Sequence, residues 1–248
     1  MRRARRVGAT MLLAGSLLPL TSCSDDGSTT LRVLAAASLT DVFAELGEQF
    51  EADHEGVEVQ FSFGSSTDLA EQAADGAPGD VLATADAAAM TIAEDADVVG
   101  DPVRFATNVL VIVTPPDNPA GIASLDDLDG STWVRCADAV PCGRVALAVL
   151  EEAGIDAEPA SLEEDARTTL DKVISGEADA GLVYASDAVA AGRDVAAIPI
   201  EGVAQEPTSY FLDALEQAED SDLAADWVEL VTGPDGRAAL TDAGFGSP

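Results

Sequence analysis

From Leu31 onward, short apolar runs alternate with windows in which apolar residues recur at three- and four-residue spacing. This alternation restricts the chain to an α/β architecture with largely parallel sheets. The runs predict strands over Leu31 to Ala35, Val57 to Phe63, Val81 to Thr84, Asn108 to Val113, Thr132 to Cys136, Ala180 to Tyr184 and Ala196 to Ile200. The best-defined helix follows the first strand: Leu39, Val42, Phe43, Leu46 and Phe50 share one face, and Ser38 with Asp41 predicts a capping-box start. Further helices are expected over Thr67 to Ala74, Arg144 to Glu152 before Gly154, Ala166 to Ser175 before Gly176, Leu223 to Val231 and Gly236 to Ala243. No internal repeat and no long linker divides the chain, so two lobes would have to share it in discontinuous pieces.

Ahead of this pattern stands a basic stretch, Met1-Arg-Arg-Ala-Arg-Arg6, followed by an uncharged apolar segment from Val7 to Leu20. The segment is too short for a permanent membrane span of about 20 residues and reads as a secretory signal over residues 1–22. The paired arginines would also suit twin-arginine export, although no further part of such a signal follows them. Leu20-Thr21-Ser22-Cys23 resembles the lipobox of bacterial lipoproteins, which makes Cys23 the expected lipidation site and residues 23–30 a polar tether. Localisation is therefore expected at the outer face of the cell membrane.

Removal of the signal leaves 226 of the 248 residues and takes four arginines with it, so the formal charge of −34 becomes −38. Such a field repels nucleic acid and anionic lipid, and the remaining basic residues, with Lys172 the only lysine, are scattered singly. A nucleic-acid partner is excluded on that basis. In an oxidising compartment the even pair Cys136 and Cys142 is expected to form a disulfide. The sole histidine, His54, sits in a polar turn, so no free metal cation and no cysteine–histidine nucleophile is expected. No phosphate-binding glycine loop or nucleophile elbow is present, and the many carboxylates read as a solvated face.

Four segments place a small or uncharged residue where a helix begins: Ser38, Ser66, Cys142 and Ala166. Free N–H groups and the positive end of a helix dipole bind an anion without any formal positive charge. The wording around these positions is specific. Leu34-Ala-Ala-Ala-Ser-Leu-Thr-Asp41 and Ser62-Phe-Gly-Ser-Ser-Thr-Asp-Leu-Ala70 closely resemble the periplasmic molybdate-binding proteins of the type II solute-binding fold. Gly76-Ala-Pro-Gly-Asp80, Thr84-Ala-Asp86, Gly181-Leu-Val-Tyr-Ala-Ser-Asp-Ala188 and Gly233-Pro-Asp-Gly-Arg-Ala-Ala-Leu-Thr-Asp-Ala-Gly-Phe245 match further motifs of that family in order.

The resemblance implies a two-lobed type II periplasmic-binding-protein-like fold, with residues 31–107 plus 207–248 in lobe 1, residues 108–206 in lobe 2, and a ligand cleft between them. It further implies a monomer that passes molybdate or tungstate to an ABC-transporter permease and its ATPase, without cofactor or catalytic residues. Carried over by position, Ser38 and Ser66 would give hydroxyl and main-chain donors, Cys142 and Ala166 backbone N–H groups, and Tyr184 a more peripheral phenol whose loss should matter less than that of either serine. Arg144 and Arg167 are expected to face acidic partners, not ligand. With no ionisable group on the anion, affinity should stay flat from neutral pH up to the titration of Tyr184. One departure stands at the hinge, where Pro207-Thr-Ser-Tyr-Phe-Leu212 replaces the family's usual Tyr-Pro-aliphatic strand. A receptor for another oxyanion such as sulfate or phosphate remains open, as does an extracellular enzyme or sensor using the same cleft. The latter is disfavoured by the missing acid, base and nucleophile.

Overall fold

A computed structural model describes residues 29–201 and 206–248; the signal, Cys23 and most of the tether lie outside the described residues. The chain begins with β1 (Thr29–Ala36), α1 (Thr40–Asp53), β2 (Val57–Gly64), α2 (Ser66–Ala74), β3 (Val81–Thr84), α3 (Ala87–Asp95) and β4 (Val103–Asn108). It continues through β5 (Leu110–Thr114), β6 (Trp133–Cys136), α4 (Pro141–Ala153), β7 (Ser161–Glu163), α5 (Ala166–Ile174), β8 (Ala180–Tyr184), α6 (Ala185–Ala191) and β9 (Ala196–Pro199). It returns with β10 (Thr208–Ala214), α7 (Ser221–Thr232) and α8 (Pro234–Asp242).

Two five-stranded sheets result, in the orders β2-β1-β3-β10-β4 and β7-β6-β8-β5-β9. In the first, β1 runs parallel to β2 and β3, while the returning β10 inserts antiparallel between β3 and β4. In the second, β6 is parallel to β7 and β8, and β5 is antiparallel to β8 and β9. The expected α/β, two-lobed class is thus the one observed.

In strand β1 the segment Val33–Ala36 is apolar and buried because helices cover both of its faces, while Arg32 ahead of it is only half-buried and pairs with Glu219 at 3.1 Å. Leu31, Val33 and Ala35 join the cluster that holds Phe43, Leu46 and Phe50 of α1 and Trp227 of α7. Trp227 meets both Phe43 and Phe50 edge-on at 5.5 Å. On the opposite face Leu34 and Leu82 pack with Leu69 and Ala73 of α2 and Met90 of α3.

Three details differ from the sequence reading. The run expected as one strand from Asn108 is split: β4 ends at Asn108, whose Oδ1 accepts the Val109 N–H at 3.0 Å, and β5 starts at Leu110 in the other sheet. An asparagine side chain that bonds the next amide offers the backbone an alternative to the ladder and turns the chain. Ser38 does not cap α1. It sits inside a 3-10 turn over Ala37–Leu39, and the N-cap, Leu39, has no side-chain bond. Finally, β4, β7, α3 and α6 were not expected as elements, and β10 was indicated only by the resemblance, as the segment from Pro207 to Leu212 that stands in place of the family's returning strand.

Candidate functional site

The C-terminal ends of the parallel strands from both sheets face one cleft, the place where open α/β sheets bind ligands. β1 leads into the turn holding Ser38, β2 into Ser66 and β3 into Ala85; from the other sheet, β6 leads to Cys142, β7 to Ala166, and β8 ends on Tyr184. All five positions singled out in the sequence line this cleft. The space between its atoms, open mouth included, is about 220 Å³, a small cleft.

Three helix N-termini point into it. In α2, Ser65 is the N-cap, accepting the Asp68 N–H at 3.4 Å, and Ser66 is the first helical residue, 2 % exposed, with its Oγ accepting the Ala85 N–H at 2.9 Å. In α5, Asp165 caps the Thr168 N–H at 2.7 Å, leaving Ala166 at the first helical position. Helix α4 starts with Pro141 after Val140, which makes no capping bond, so no side chain caps the first-turn N–H groups around Cys142.

That first turn is pinned. Cys136 and Cys142 are joined by a disulfide with Cα atoms 5.7 Å apart. Gly143 packs so closely on the intervening loop that a Cβ there would lie 1.8 Å from the Ala137 carbonyl oxygen.

Tyr184 is 1 % exposed, and its hydroxyl, at the cleft, has no hydrogen-bond partner among the described residues. Burial pushes its phenol well above the ordinary value. A buried hydroxyl left unpaired is rare and calls for an absent partner. The Ser38 hydroxyl, also buried, lies 2.8 Å from the hydroxyl of Tyr210. Asp187, 1 % exposed on α6, accepts the Tyr184 N–H at 3.1 Å, while its other oxygen is unpartnered. Burial raises its carboxyl to about 7, against the lowering influence of Arg167.

The arginines beside the cleft are held by carboxylates. Arg144 on α4 binds Asp86 through Nε at 2.8 Å and Nη2 at 2.7 Å, and Arg167 on α5 binds Asp41 through Nη2, its Nε remaining buried and unpartnered. Both pairs join one sheet's helices to the other's. His54 ends α1, stacked on Phe50 at 4.0 Å with Nδ1 2.9 Å from the Phe50 carbonyl. Among the described residues no group of three or more His, Cys, Asp or Glu could hold a metal ion. Ala85, Asp187 and Tyr210 were not foreseen. Ala85 acts through its backbone alone, Asp187 through a local bond to the Tyr184 N–H inside the Gly181 to Ala188 motif, and Tyr210 through a contact with Ser38 172 positions away that local sequence cannot announce.

The model of the bacterial extracellular solute-binding proteins matches residues 31–246. The molybdate-binding protein ModA of Mycobacterium tuberculosis H37Rv is 38% identical over 245 residues, which cover 97% of this chain and 94% of that protein. Among solved structures, the periplasmic molybdate-binding protein of Azotobacter vinelandii superposes with a TM-score of 0.77 at 21% identity, covering 88% of this chain and 99% of the other. The sulfate-binding protein SubI of M. tuberculosis H37Rv also reaches 0.77, at 17% identity over 88% and 86% of the two chains. These relatives are named for binding a solute, not for a reaction, and the cleft geometry agrees: the chain belongs to the bacterial extracellular solute-binding protein family.

Proposed function

We propose that this chain captures molybdate or tungstate outside the cytoplasm and delivers it to an ABC permease and its ATPase, acting as a monomer tethered by lipid on Cys23. The observation that carries the reading is the buried, partnerless Tyr184 hydroxyl at a cavity where helix N-termini and two serine hydroxyls converge and the neighbouring guanidiniums are engaged by carboxylates. Such a site suits a small dianion. Burying the charge is tolerable only if directional donors replace its water, and bonds to a charged acceptor are worth roughly 1.5–3 kcal/mol each. Ser38 and Ser66 give hydroxyls, Cys142 and Ala166 backbone N–H groups, and Tyr184 its phenol. Residues 31–108 plus 207–248 form one lobe, since Asn108 pairs with Thr208 in the first sheet, and residues 109–206 form the other, closing over the anion.

A sulfate receptor is the second reading, favoured by the similarity to a sulfate-binding structure. Titration calorimetry of the protein lacking residues 1–23 with molybdate, tungstate, sulfate and phosphate separates the two. Saturable binding confined to molybdate and tungstate is expected, with Ser38→Ala and Ser66→Ala each weaker by about one to two decades. Loss of binding in Arg144→Ala or Arg167→Ala, with both serine variants normal, would place the site elsewhere. For the tether, Cys23→Ala should release the protein from membranes; unchanged fractionation refutes lipidation.

A further inference from the structure

The direction of the hydrogen bond between Ser38 and Tyr210 can be worked out from the groups behind it. Asn108 fixes the sense. Its Oδ1 is engaged by the Val109 N–H at 3.0 Å, so its NH₂ must face the opposite way, where it donates to Ser186 Oγ at 2.8 Å and, more weakly, to the Tyr210 hydroxyl oxygen at 3.5 Å. The tyrosine oxygen thereby receives a hydrogen; either hydroxyl could donate in the 2.8 Å contact with Ser38, and the arrangement that leaves no buried tyrosine proton unpaired has Tyr210 donating to Ser38 Oγ. With that lone pair occupied, the Ser38 proton is left for the cavity that Ser38 lines.

All four side chains are buried: Tyr210 is fully so, Asn108 and Ser186 are 3 % exposed and Ser38 is 7 % exposed. No bulk water is at hand to scramble the directions, and in a low-dielectric interior each bond polarises the next. Burial also pushes the Tyr210 phenol far above its ordinary range, keeping it protonated. On the adjoining wall the backbone achieves the same end, since Ser66 Oγ accepts from the Ala85 N–H at 2.9 Å and is likewise left with its hydrogen to give.

We propose that Asn108 and Tyr210 are positioning residues that polarise the Ser38 hydroxyl and commit it to donating a hydrogen bond to the bound anion. The relay also links the site to both crossings between the sheets. Asn108 ends the last strand before the first crossing, Tyr210 lies on the strand that follows the return, and Ser186 sits on α6 two residues from Tyr184.

This assignment rests on the oxyanion site proposed above, and the test separates the two. Molybdate is titrated calorimetrically into wild type, Ser38→Ala, Tyr210→Phe and the double variant, with tungstate as a second probe of wild type. Tyr210→Phe keeps a ring that meets Phe105, Tyr184 and Phe245 edge-on at 6.1, 5.9 and 5.3 Å. It is expected to weaken binding about fivefold to tenfold in the wild-type background, and less than about twofold once Ser38 is alanine, the non-additivity of groups acting in series. Asn108→Ala should show the same pattern at smaller amplitude. An unaffected Tyr210→Phe, or equal losses in both backgrounds, overturns the relay while leaving the site intact. Failure of wild type to bind either anion removes the site and the relay together. A purely structural tyrosine would lower the melting temperature without any coupling to Ser38.

Discussion

Replacing Tyr184 by Phe separates a ligand-binding hydroxyl from a fold-stabilising one, because the two roles give effects of opposite sign. The substitution removes one oxygen and keeps a ring that packs edge-on against Tyr210 at 5.9 Å, so little packing is lost. That oxygen has no partner among the described residues, so no internal hydrogen bond among them goes with it. A buried unsatisfied hydroxyl costs about 1–3 kcal/mol, and the ligand-free variant should therefore be at least as stable as wild type. Toward a dianion, the same hydroxyl gives a neutral-to-charged bond of about 1.5–3 kcal/mol, so affinity should fall by about one to two decades. This exceeds the expectation from sequence, which treated the phenol as peripheral; at 1 % exposure it is enclosed. The assay is calorimetric titration with molybdate alongside urea denaturation of the ligand-free protein. Unchanged affinity, or a parallel loss of affinity and stability, would refute the argument.

Asp187 makes stability depend on pH. Its folded-state value of about 7 lies above the ordinary 3.8, so the native state holds the extra proton, and the associated stability is lost as pH rises from about 4 through 7. Denaturation curves should show Asp187→Asn gaining on wild type across that interval, with an upper bound of about 4 kcal/mol; superimposable pH profiles would rule this out. Ionised Asp187 would also repel a bound dianion beside Tyr184, so molybdate affinity should decline through neutrality and not stay flat, and Asp187→Asn should remove the decline. The Cys136–Cys142 bridge spans six positions, and the loop-entropy relation gives it about 2 kcal/mol. Reduction should cost that much and weaken anion binding by loosening the first turn of α4; two free thiols in peptides from unreduced secreted protein would contradict the bridge.

The sequence disclosed those parts of the fold whose residues are alike along the chain. β3, β8 and the Val33–Ala36 half of β1 are largely apolar and buried because helices shield both faces of their sheets, and α1 carries a clear apolar stripe. β4 escaped notice because Val103 and Arg104 are exposed and Thr107 interrupts its apolar face. β10 follows the period of two, with Thr208, Tyr210 and Leu212 buried, but polar and aromatic residues stand where aliphatics would mark a strand. At the cleft, motif wording named positions that act through a hydroxyl or a free N–H. It could not give the bonds behind them, since Ser38 and Tyr210 are 172 positions apart and Asn108 and Tyr210 are 102 apart.

The position of β10 also sets an order of assembly. The second sheet draws on one continuous stretch, from Leu110 to Pro199, and every strand it needs has been made by then. The first sheet has no such autonomy: with β10 missing, β3 and β4 face each other across a one-strand gap, each with an unpaired row of amides and carbonyls. Residues made early must wait for Thr208–Ala214, and the long loop closure falls on the lobe that carries Ser38 and Ser66. The returning strand is a keystone, so the walls of the cleft become complete only when nearly the whole chain is in hand.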